Sequence, residues 1–422
     1  KDRLFDALQS SIGRKDYDVL RFISNTSAPL ENASLNLRNF DLTIHGIPAV
    51  FVSDSQNVKI YPKARTIKLK HNRNFQFDGI VEAGLFTFFG RNFFFNYDSF
   101  KVSLGNVDSI RMKVIVGYDL AMKPIYQDVN NVIQDVTGDI LIDAPDNKSG
   151  VVNYPEYPIF TSRGNSYVYY DHPSIFGGVY KRSRDFYFRI EPYVLDSLDN
   201  FSKEGMKFNG FLSSAKIFPN INEKLVLQPD FSLGFTHDVP DAGFPAYGGK
   251  GKFSRLLNLS NQGLRGKGHV KYLSATVTSE DIIFFPDSMD AVDDFTIEAQ
   301  AAPASFPNVE GKAIKVNWQP YKDVMYASNT ANQFDMYSKQ ANFNGLLSLT
   351  PKKLSGNGMI NFPTADNSSK NFTFYQMLAH ADTSCFRLKS SLDRQITVKT
   401  NNVKSDINFA TRIGDFKTND TA

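Results

Sequence analysis

A stretch that occurs twice constrains the fold of this chain more than any other feature of its sequence. Residues 257–285 read LNLSNQGLRGKGHVKYLSATVTSEDIIFF, and residues 347–375 read LSLTPKKLSGNGMINFPTADNSSKNFTFY. The two stretches align over their whole length without a gap. Eight positions are identical, whereas average residue frequencies give roughly two by chance. The stretch is therefore a true internal repeat. The identical pairs are Leu257/Leu347, Leu259/Leu349, Leu264/Leu354, Gly266/Gly356, Gly268/Gly358, Ala275/Ala365, Ser279/Ser369 and Phe284/Phe374.

The shared positions are apolar residues and paired glycines, which indicates a repeated way of packing. Each Gly-x-Gly lies between an aliphatic strand and an alternating strand, where glycine allows positive φ or a close backbone approach. A phosphate loop is not favoured, because no helix with a following Lys-Ser/Thr is predicted. The match resumes downstream after one inserted residue, where Val316-Asn317-Trp318 aligns with Ile407-Asn408-Phe409.

The rest of the chain also has the two-residue period of β-strands. The 37 Phe and 19 Tyr residues favour strands. Alternation in residues 35–47 changes phase near Arg38-Asn39, which predicts a bulge or a break there. Residues 75–104 are short aromatic strands separated by single glycines, and we expect their phenylalanines to form a packed core. A Phe-Asp/Asn-Gly element recurs at residues 77–79, 208–210 and 343–345.

Helix is expected in only two places. Apolar residues at helical spacing predict a short helical pair over residues 1–23, and a short helix over 125–136. Ala144-Pro145-Asp146-Asn147 reads as a turn. The chain begins with Lys and not with Met, so we expect a processed chain or a piece of a longer protein.

These patterns predict an all-β, elongated repeat architecture, a β-solenoid or jellyroll-like stack, with a short helical segment at its N-terminus. Tandem β-sandwiches are the alternative. The expected divisions are a helical connector (1–24), two β-rich units (25–150 and 151–246), the first repeat (247–330) and the second repeat (331–422).

Residues that carry chemistry are sparse. None of the six histidines has the spacing of a ligand pair, and neither a G-x-S-x-G elbow nor a Cys/His constellation occurs. Cys385 is the one cysteine, and we expect it to pack as a small hydrophobe. The candidate metal ligands are Asp287, Asp290, Asp293 and Asp294, because calcium prefers oxygen-rich loops; an acidic turn is the alternative. We expect no catalytic residues and no cofactor.

The charge balance bears on partners. The net charge is +3, and no run of Lys and Arg is long enough for a nucleic-acid patch. No apolar run approaches the roughly 20 residues of a membrane-spanning helix. One cysteine is compatible with the cytosol and with a bacterial envelope.

The segments NRNFQFDGIVEAGLFTFFGRNFFFNYDSF, SYVYYD and FPDSM, the repeated LxGxG and the ending INFATRIGDF resemble long β-rich repeat proteins of the Bacteroidetes cell envelope. This family has no assigned activity. Its repeats are similar to the β-jellyroll strands of lipopolysaccharide-transport bridge proteins, which is a likeness of fold. The resemblance implies an extracytoplasmic protein whose partners are other envelope proteins or further repeats.

We therefore expect a non-enzymatic structural or scaffold protein of the envelope or cell surface. One alternative is a polysaccharide-binding or polysaccharide-degrading β-protein, with a glycan as partner. A further alternative is a lipid-conducting β bridge.

Overall fold

The fold is built from antiparallel strands, as the alternation predicts. The computed structural model describes residues 19–27, 31–389 and 398–419. They form two compact units. Unit 1 comprises the described residues up to His172, together with Lys181–Ser213 and Ile221–Phe235. Unit 2 comprises Pro173–Tyr180, Ser214–Asn220 and the described residues from Thr236 onward, and it contains both repeats.

The strands are numbered in chain order. Those up to β16 are β1 (Ala33–Leu35), β2 (Leu42–Ile44), β3 (Val50–Ser53), β4 (Val58–Pro62), β5 (Ile67–Leu69), β6 (Phe75–Ala83), β7 (Phe86–Asn96), β8 (Lys101–Tyr118), β9 (Pro124–Asp128), β10 (Ile133–Leu141), β11 (Ile159–Ser162), β12 (Ser166–Tyr169), β13 (Phe186–Ile190), β14 (Val194–Leu195), β15 (Lys207–Ser214) and β16 (Ile221–Leu227). Those that follow are β17 (Leu233–Ala246), β18 (Gly251–Ser260), β19 (Gly263–Tyr272), β20 (Ala275–Phe284), β21 (Met289–Ile297), β22 (Val309–Gln319), β23 (Val324–Asn329), β24 (Phe334–Met336), β25 (Ala341–Leu349), β26 (Leu354–Asn361), β27 (Ala365–Phe374), β28 (Leu378–Leu388), β29 (Lys399–Asn408) and β30 (Ile413–Thr418).

Helix is confined to short turns in the described residues. The one α-helical turn is α1 (Pro145–Lys148). The 3-10 turns are Lys63–Arg65, Arg182–Arg184, Lys203–Gly205 and Pro320–Lys322. No helix among the described residues has the length and apolarity that a membrane crossing requires.

In unit 1, the long strand β8 pairs with β7 along one edge and with β10 along the other, and its last residues pair with β9. The neighbouring strand β6 pairs with β7 and also with β4 and β5. The predicted aromatic core is confirmed here, because the inward phenylalanines of β6 and β7 are at most 5% exposed. They are Phe75, Phe77, Phe86, Phe88, Phe93 and Phe95.

In unit 2, strands that follow each other along the chain pair with each other from β18 to β23 and from β25 to β30. The short strand β24 pairs with both β22 and β25, and β23 also pairs with β25. These ladders are antiparallel, and helix among the described residues is limited to short turns, so the all-β prediction is confirmed.

The first glycine of each pair makes room for two aromatic rings. A Cβ on Gly266 would lie 2.7 Å from the ring of Phe253 and 2.8 Å from the ring of Phe284. In the second repeat, a Cβ on Gly356 would lie 2.6 Å from a ring atom of Phe374 and 2.9 Å from one of Phe343. The two ring pairs have closely similar geometry, with centroids 5.2 Å apart at 77° in the first repeat and 5.4 Å apart at 78° in the second. The sequence repeat is therefore a repeat of packing.

The second glycine of each pair lies at a bulge. Gly268 has φ of +150° and Gly358 has φ of +158°, and the pairing of β19 with β20 and of β26 with β27 shifts register at these points. A Cβ on Gly358 would lie 2.2 Å from the carbonyl oxygen of Asn344. Gly345, from the Phe-Asn-Gly element, stands opposite Gly358. Only a residue without Cβ fits so close to the opposing backbone.

Some local predictions need correction. Most of the predicted N-terminal helix falls on residues 1–18, which lie outside the described residues, while residues 19–27 are not helical. The helix predicted at 125–136 is wrong, because this segment forms the end of β9 and the start of β10. Strand pairing with β8 outweighs the helical spacing there. The break predicted at Arg38-Asn39 is confirmed as the turn between β1 and β2.

The downstream alignment of the two repeats is also corrected. Trp318 stands opposite Met289, and Ile407 stands opposite Ala379, the residue that matches Met289. In strand register, Trp318 therefore matches Ile407. In ring packing it matches Phe409, as the sequence predicts, because Trp318 packs against Tyr247 and Phe409 packs against Tyr337, the residue that matches Tyr247. A shift of two residues leaves a side chain on the same face of the sheet, so the ring of Phe409 can take the role of Trp318 from a different register position.

We predict that Gly358→Ala lowers the free energy of unfolding of unit 2 by about 3 kcal/mol or more, since it adds a steric clash to a disfavoured φ. Urea unfolding followed by circular dichroism measures the change. Gly414→Ala in β30 is the matched control, because its Cβ would lie no nearer than 3.3 Å to a neighbour. Equal effects of the two substitutions would contradict the account.

Candidate functional site

The candidate metal ligands lie along one turn and one strand. Asp287 is in the turn before β21, and the other three aspartates are in β21. Asp290 accepts a hydrogen bond of 2.5 Å from the amide of Asn317 on β22. Across the described residues, no three His, Cys, Asp or Glu side chains come together in a way that could hold a metal ion. Within this described part of the chain, the four aspartates Asp287, Asp290, Asp293 and Asp294 therefore do not form a metal-binding cluster.

The prediction that Cys385 packs as a small hydrophobe is wrong. Its side chain is exposed on β28. The pairing of β28 with β29 is irregular between Ala381 and Phe386, and Ser384 takes the buried position in this stretch. The bulge reverses the face that simple alternation assigns to the cysteine.

The structure assembles a histidine–carboxylate cluster that the sequence analysis does not predict. His380 on β28 lies between two carboxylates: its Nδ1 is 2.6 Å from Asp406 Oδ1 and its Nε2 is 3.2 Å from Asp382 Oδ1. His380 and Asp382 lie two residues apart on one face of a strand, and Asp406 stands opposite on β29. The His-x-Asp spacing could have signalled the contact with Asp382. The contact with Asp406 depends on strand register and leaves no mark in the local sequence.

The two carboxylates favour the imidazolium form of His380. The hydrogen bond with Asp406 raises the pKa of His380 above its ordinary value of 6.5, and the contact with Asp382 adds to this, while burial opposes it. The first repeat has a related pair, because Asp290 and Asn317 occupy the positions of His380 and Asp406. A cross-strand polar bridge is common to both repeats, and the histidine is specific to the second.

A polar cleft of about 730 Å³ lies beside this cluster. It opens where β26 and β27 shift register. Asp382 is the one carboxylate among its lining residues, so the cleft does not contain the carboxylate pair that glycoside hydrolysis requires. Its lining is Asn357, Gly358, Ser368, Ser369, Lys370, Asn371, Asp382, Thr383, Ser384 and Cys385.

The bulge between β19 and β20 in the first repeat differs in charge from the bulge between β26 and β27, where the polar cleft lies. There Arg265 donates two hydrogen bonds, of 2.6 and 2.7 Å, to Asp281, and Lys267 pairs with Glu280. The acidic residues of that bulge are therefore neutralised by ion pairs on the adjacent strand. In the second repeat, Lys370 and Asn371 replace the two acidic residues.

An apolar hollow, which we name the edge pocket, lies beside the last strand of unit 2. It has a volume of about 420 Å³. Arg412 is the one charged residue among those that line it. Its lining is Gln340, Phe362, Phe386, Ile407, Asn408, Phe409, Arg412, Ile413, Gly414 and Phe416. Among the described residues β30 pairs only with β29, so the edge pocket borders an open strand edge.

Aromatic residues also lie on the outer face of unit 1, where a glycan-binding surface would need them. Tyr167 and Tyr169 stack with centroids 5.9 Å apart, and Tyr187 meets Tyr167 edge-on at 5.5 Å. The guanidinium of Arg182 covers the ring of Tyr169 at 3.8 Å. Burial, together with a hydrogen bond to Asp135, raises the pKa of Tyr169 to about 12. Arg182 thus occupies a ring face that a sugar would otherwise use.

We predict that His380 stabilises unit 2 more at low pH than at high pH. A raised pKa means that the folded state binds the proton more tightly, so this stabilisation is complete below about pH 6.5 and is lost as the pH rises through the folded value. Urea unfolding at about pH 5.5 and about pH 9 should show that His380→Gln costs more at the lower pH.

The control for His380 is His269→Gln, because the Nδ1 of His269 meets the hydroxyl of Thr278 at 2.9 Å and not a carboxylate. A pH-independent cost for His380→Gln, or a cost that grows with pH, would contradict the assignment.

A buried polar pair supplies a second prediction. Asn367 donates a hydrogen bond of 3.0 Å to Ser405, and both residues are fully buried. In the first repeat, Val277 occupies the position of Asn367 and Val316 occupies the position of Ser405. Val277 stands opposite Phe295, and Val316 stands opposite Ala291. Ser405→Val alone should cost about 1–3 kcal/mol in unfolding free energy, because it leaves a buried amide unpaired. The double variant Asn367→Val/Ser405→Val should recover most of that loss. A double variant as unstable as the single one would show that the two sites are not equivalent.

Comparison of the chain with protein-family models, with curated proteins and with solved structures finds no match.

Proposed function

We propose that this protein is a non-enzymatic structural scaffold of the bacterial cell envelope or surface. The observation that carries the proposal is that the two repeats share their packing and differ in their chemistry. Gly356 and its ring pair reproduce the geometry around Gly266. A histidine bridge in one repeat corresponds to an Asp–Asn bridge in the other. Duplication of a fold element whose polar side chains change from one copy to the other fits a structural role.

The resemblance to Bacteroidetes envelope proteins supports an extracytoplasmic location. It rests on segments from both units, among them FPDSM and INFATRIGDF. Partners of such a scaffold would be other envelope proteins or further β units of the same kind. Strands that pair with their chain neighbours support this, since a sheet of that type can be extended one unit at a time.

The alternative functions have less support. A lipid bridge needs inward phenylalanines that line an open groove, whereas those of β6 and β7 are packed and at most 5% exposed. A polysaccharide binder needs free aromatic faces, and Arg182 lies over Tyr169. A glycoside hydrolase needs two carboxylates at its site, whereas the lining of the polar cleft contains one.

Cell fractionation tests the location. A tagged copy expressed in the source bacterium should be recovered with the envelope or at the cell surface. Recovery in the cytosolic fraction would contradict the proposal.

Ligand analysis of the purified protein tests the role. Native mass spectrometry should find no lipid bound in a fixed ratio, and a polysaccharide panel should give no binding that Tyr167→Ala or Tyr187→Ala abolishes. A bound lipid would favour the bridge, and tyrosine-dependent glycan binding would favour the polysaccharide alternative.

A further inference from the structure

The two repeats end in equivalent strands that have different surroundings. Strand β23 follows β22 in the first repeat, and β30 follows β29 in the second. Both strands are six residues long, and both follow a four-residue turn that ends in a left-handed residue, Asp323 at φ 50° and Arg412 at φ 61°. Trp318 pairs with Met325 as Ile407 pairs with Gly414. Gly414 therefore occupies the position of Met325.

In the first repeat, the outer edge of this strand is covered. Strand β23 lies between β22 and β25, with Met325 opposite Leu349 and Ala327 opposite Leu347. All four side chains are at most 1% exposed. The contact of β23 with β25, together with β24, which pairs with both β22 and β25, joins the first repeat to the second.

In the second repeat, the same edge is open among the described residues. Strand β30 pairs only with β29, and Gly414 is exposed. The edge pocket lies beside this glycine, where Met325 stands in the first repeat. Ile413, at the start of β30, is 57% exposed. An unpaired strand edge next to an apolar hollow is a template for a further strand.

We propose that β30 and the edge pocket bind an antiparallel strand of the β25 type, supplied by a further β unit built like the second repeat. In the register that β25 adopts on β23, the partner residue at the place of Leu349 stands opposite Gly414, and the one at the place of Leu347 stands opposite Phe416. The missing side chain at Gly414 leaves room for a bulky apolar residue from the partner. This inference rests on the proposed scaffold function and specifies its partner.

The edge also limits which strands can bind. Asp415 and Lys417 alternate with Gly414 and Phe416 along β30, so they lie on the opposite face. Charged residues on an edge strand discourage pairing with unspecific apolar strands. A partner must then match both the apolar face and the charged face, as β-strand addition does by main-chain bonds and alternate pockets.

The test uses the full chain and a synthetic peptide with the sequence of residues 331–350, which contains β24 and β25. Binding is measured by fluorescence anisotropy, and a photoreactive leucine at peptide position 349 reports the site after mass spectrometry. We expect binding that saturates, with crosslinks to β30 near Gly414. A peptide with Asp in place of Leu347 and Leu349 should bind at least tenfold more weakly.

Gly414→Glu is the matched variant of the protein. It should weaken peptide binding at least tenfold, because it places a charge in the edge pocket, while Gly414→Ala should bind as the unaltered chain does. The thermal midpoint of both variants shows that the fold is kept. Peptide binding that is insensitive to Gly414→Glu, or no binding at all, would overturn the proposal.

Two further outcomes would overturn the proposal by showing that something other than a β25-type strand binds at β30 and the edge pocket. Dimerisation of the chain that Gly414→Glu abolishes, seen by sedimentation, would assign the edge to a second copy of β30. A lipid retained in the edge pocket would assign it to an acyl chain. Failure of the peptide experiment leaves the fractionation result untouched, so the partner and the scaffold function are tested separately.

Discussion

The packing of two aromatic rings over a glycine is the interaction on which unit 2 depends. Phe253 and Phe284 meet above Gly266, and Phe343 and Phe374 meet above Gly356. A ring of this size removes a large apolar area from water, and edge-to-face contact adds about 0.5–1.5 kcal/mol for each pair. The rings can approach the sheet only where the strand beneath has no side chain. The glycine therefore determines where the rings can pack.

Much of the fold could be predicted from the sequence because strand alternation and the repeat are local signals. The inward phenylalanines and the break at Arg38-Asn39 follow from the two-residue period alone. Bulges are where such reasoning fails. Cys385 lies in an irregular stretch of β28, so its face cannot be read from alternation. Around Trp318 and Phe409 the sequences are similar, but the strand register of the two repeats differs by two residues, which only the pairing reveals.

The polar groups were harder to predict, for a related reason. The bridge between His380 and Asp406 joins residues 26 apart in sequence, and it exists only in one register. In its counterpart in the first repeat, Asp290, one of the four candidate metal ligands, accepts a hydrogen bond from Asn317. Both are cross-strand pairs of the kind that stabilises sheets. Both polar pairs therefore stabilise the sheet, whereas the side chains that form them differ between the repeats.

A double-mutant cycle on Gly356 and Phe374 measures whether the ring rests on the glycine. A Cβ at position 356 would lie 2.6 Å from the ring of Phe374, so Gly356→Ala should destabilise unit 2, and Phe374→Leu should relieve part of that clash. We predict that the double variant is more stable than the sum of the single losses allows, by about 0.5–3 kcal/mol in unfolding free energy. Strictly additive losses would show that the ring does not rest on the glycine, and would contradict the account.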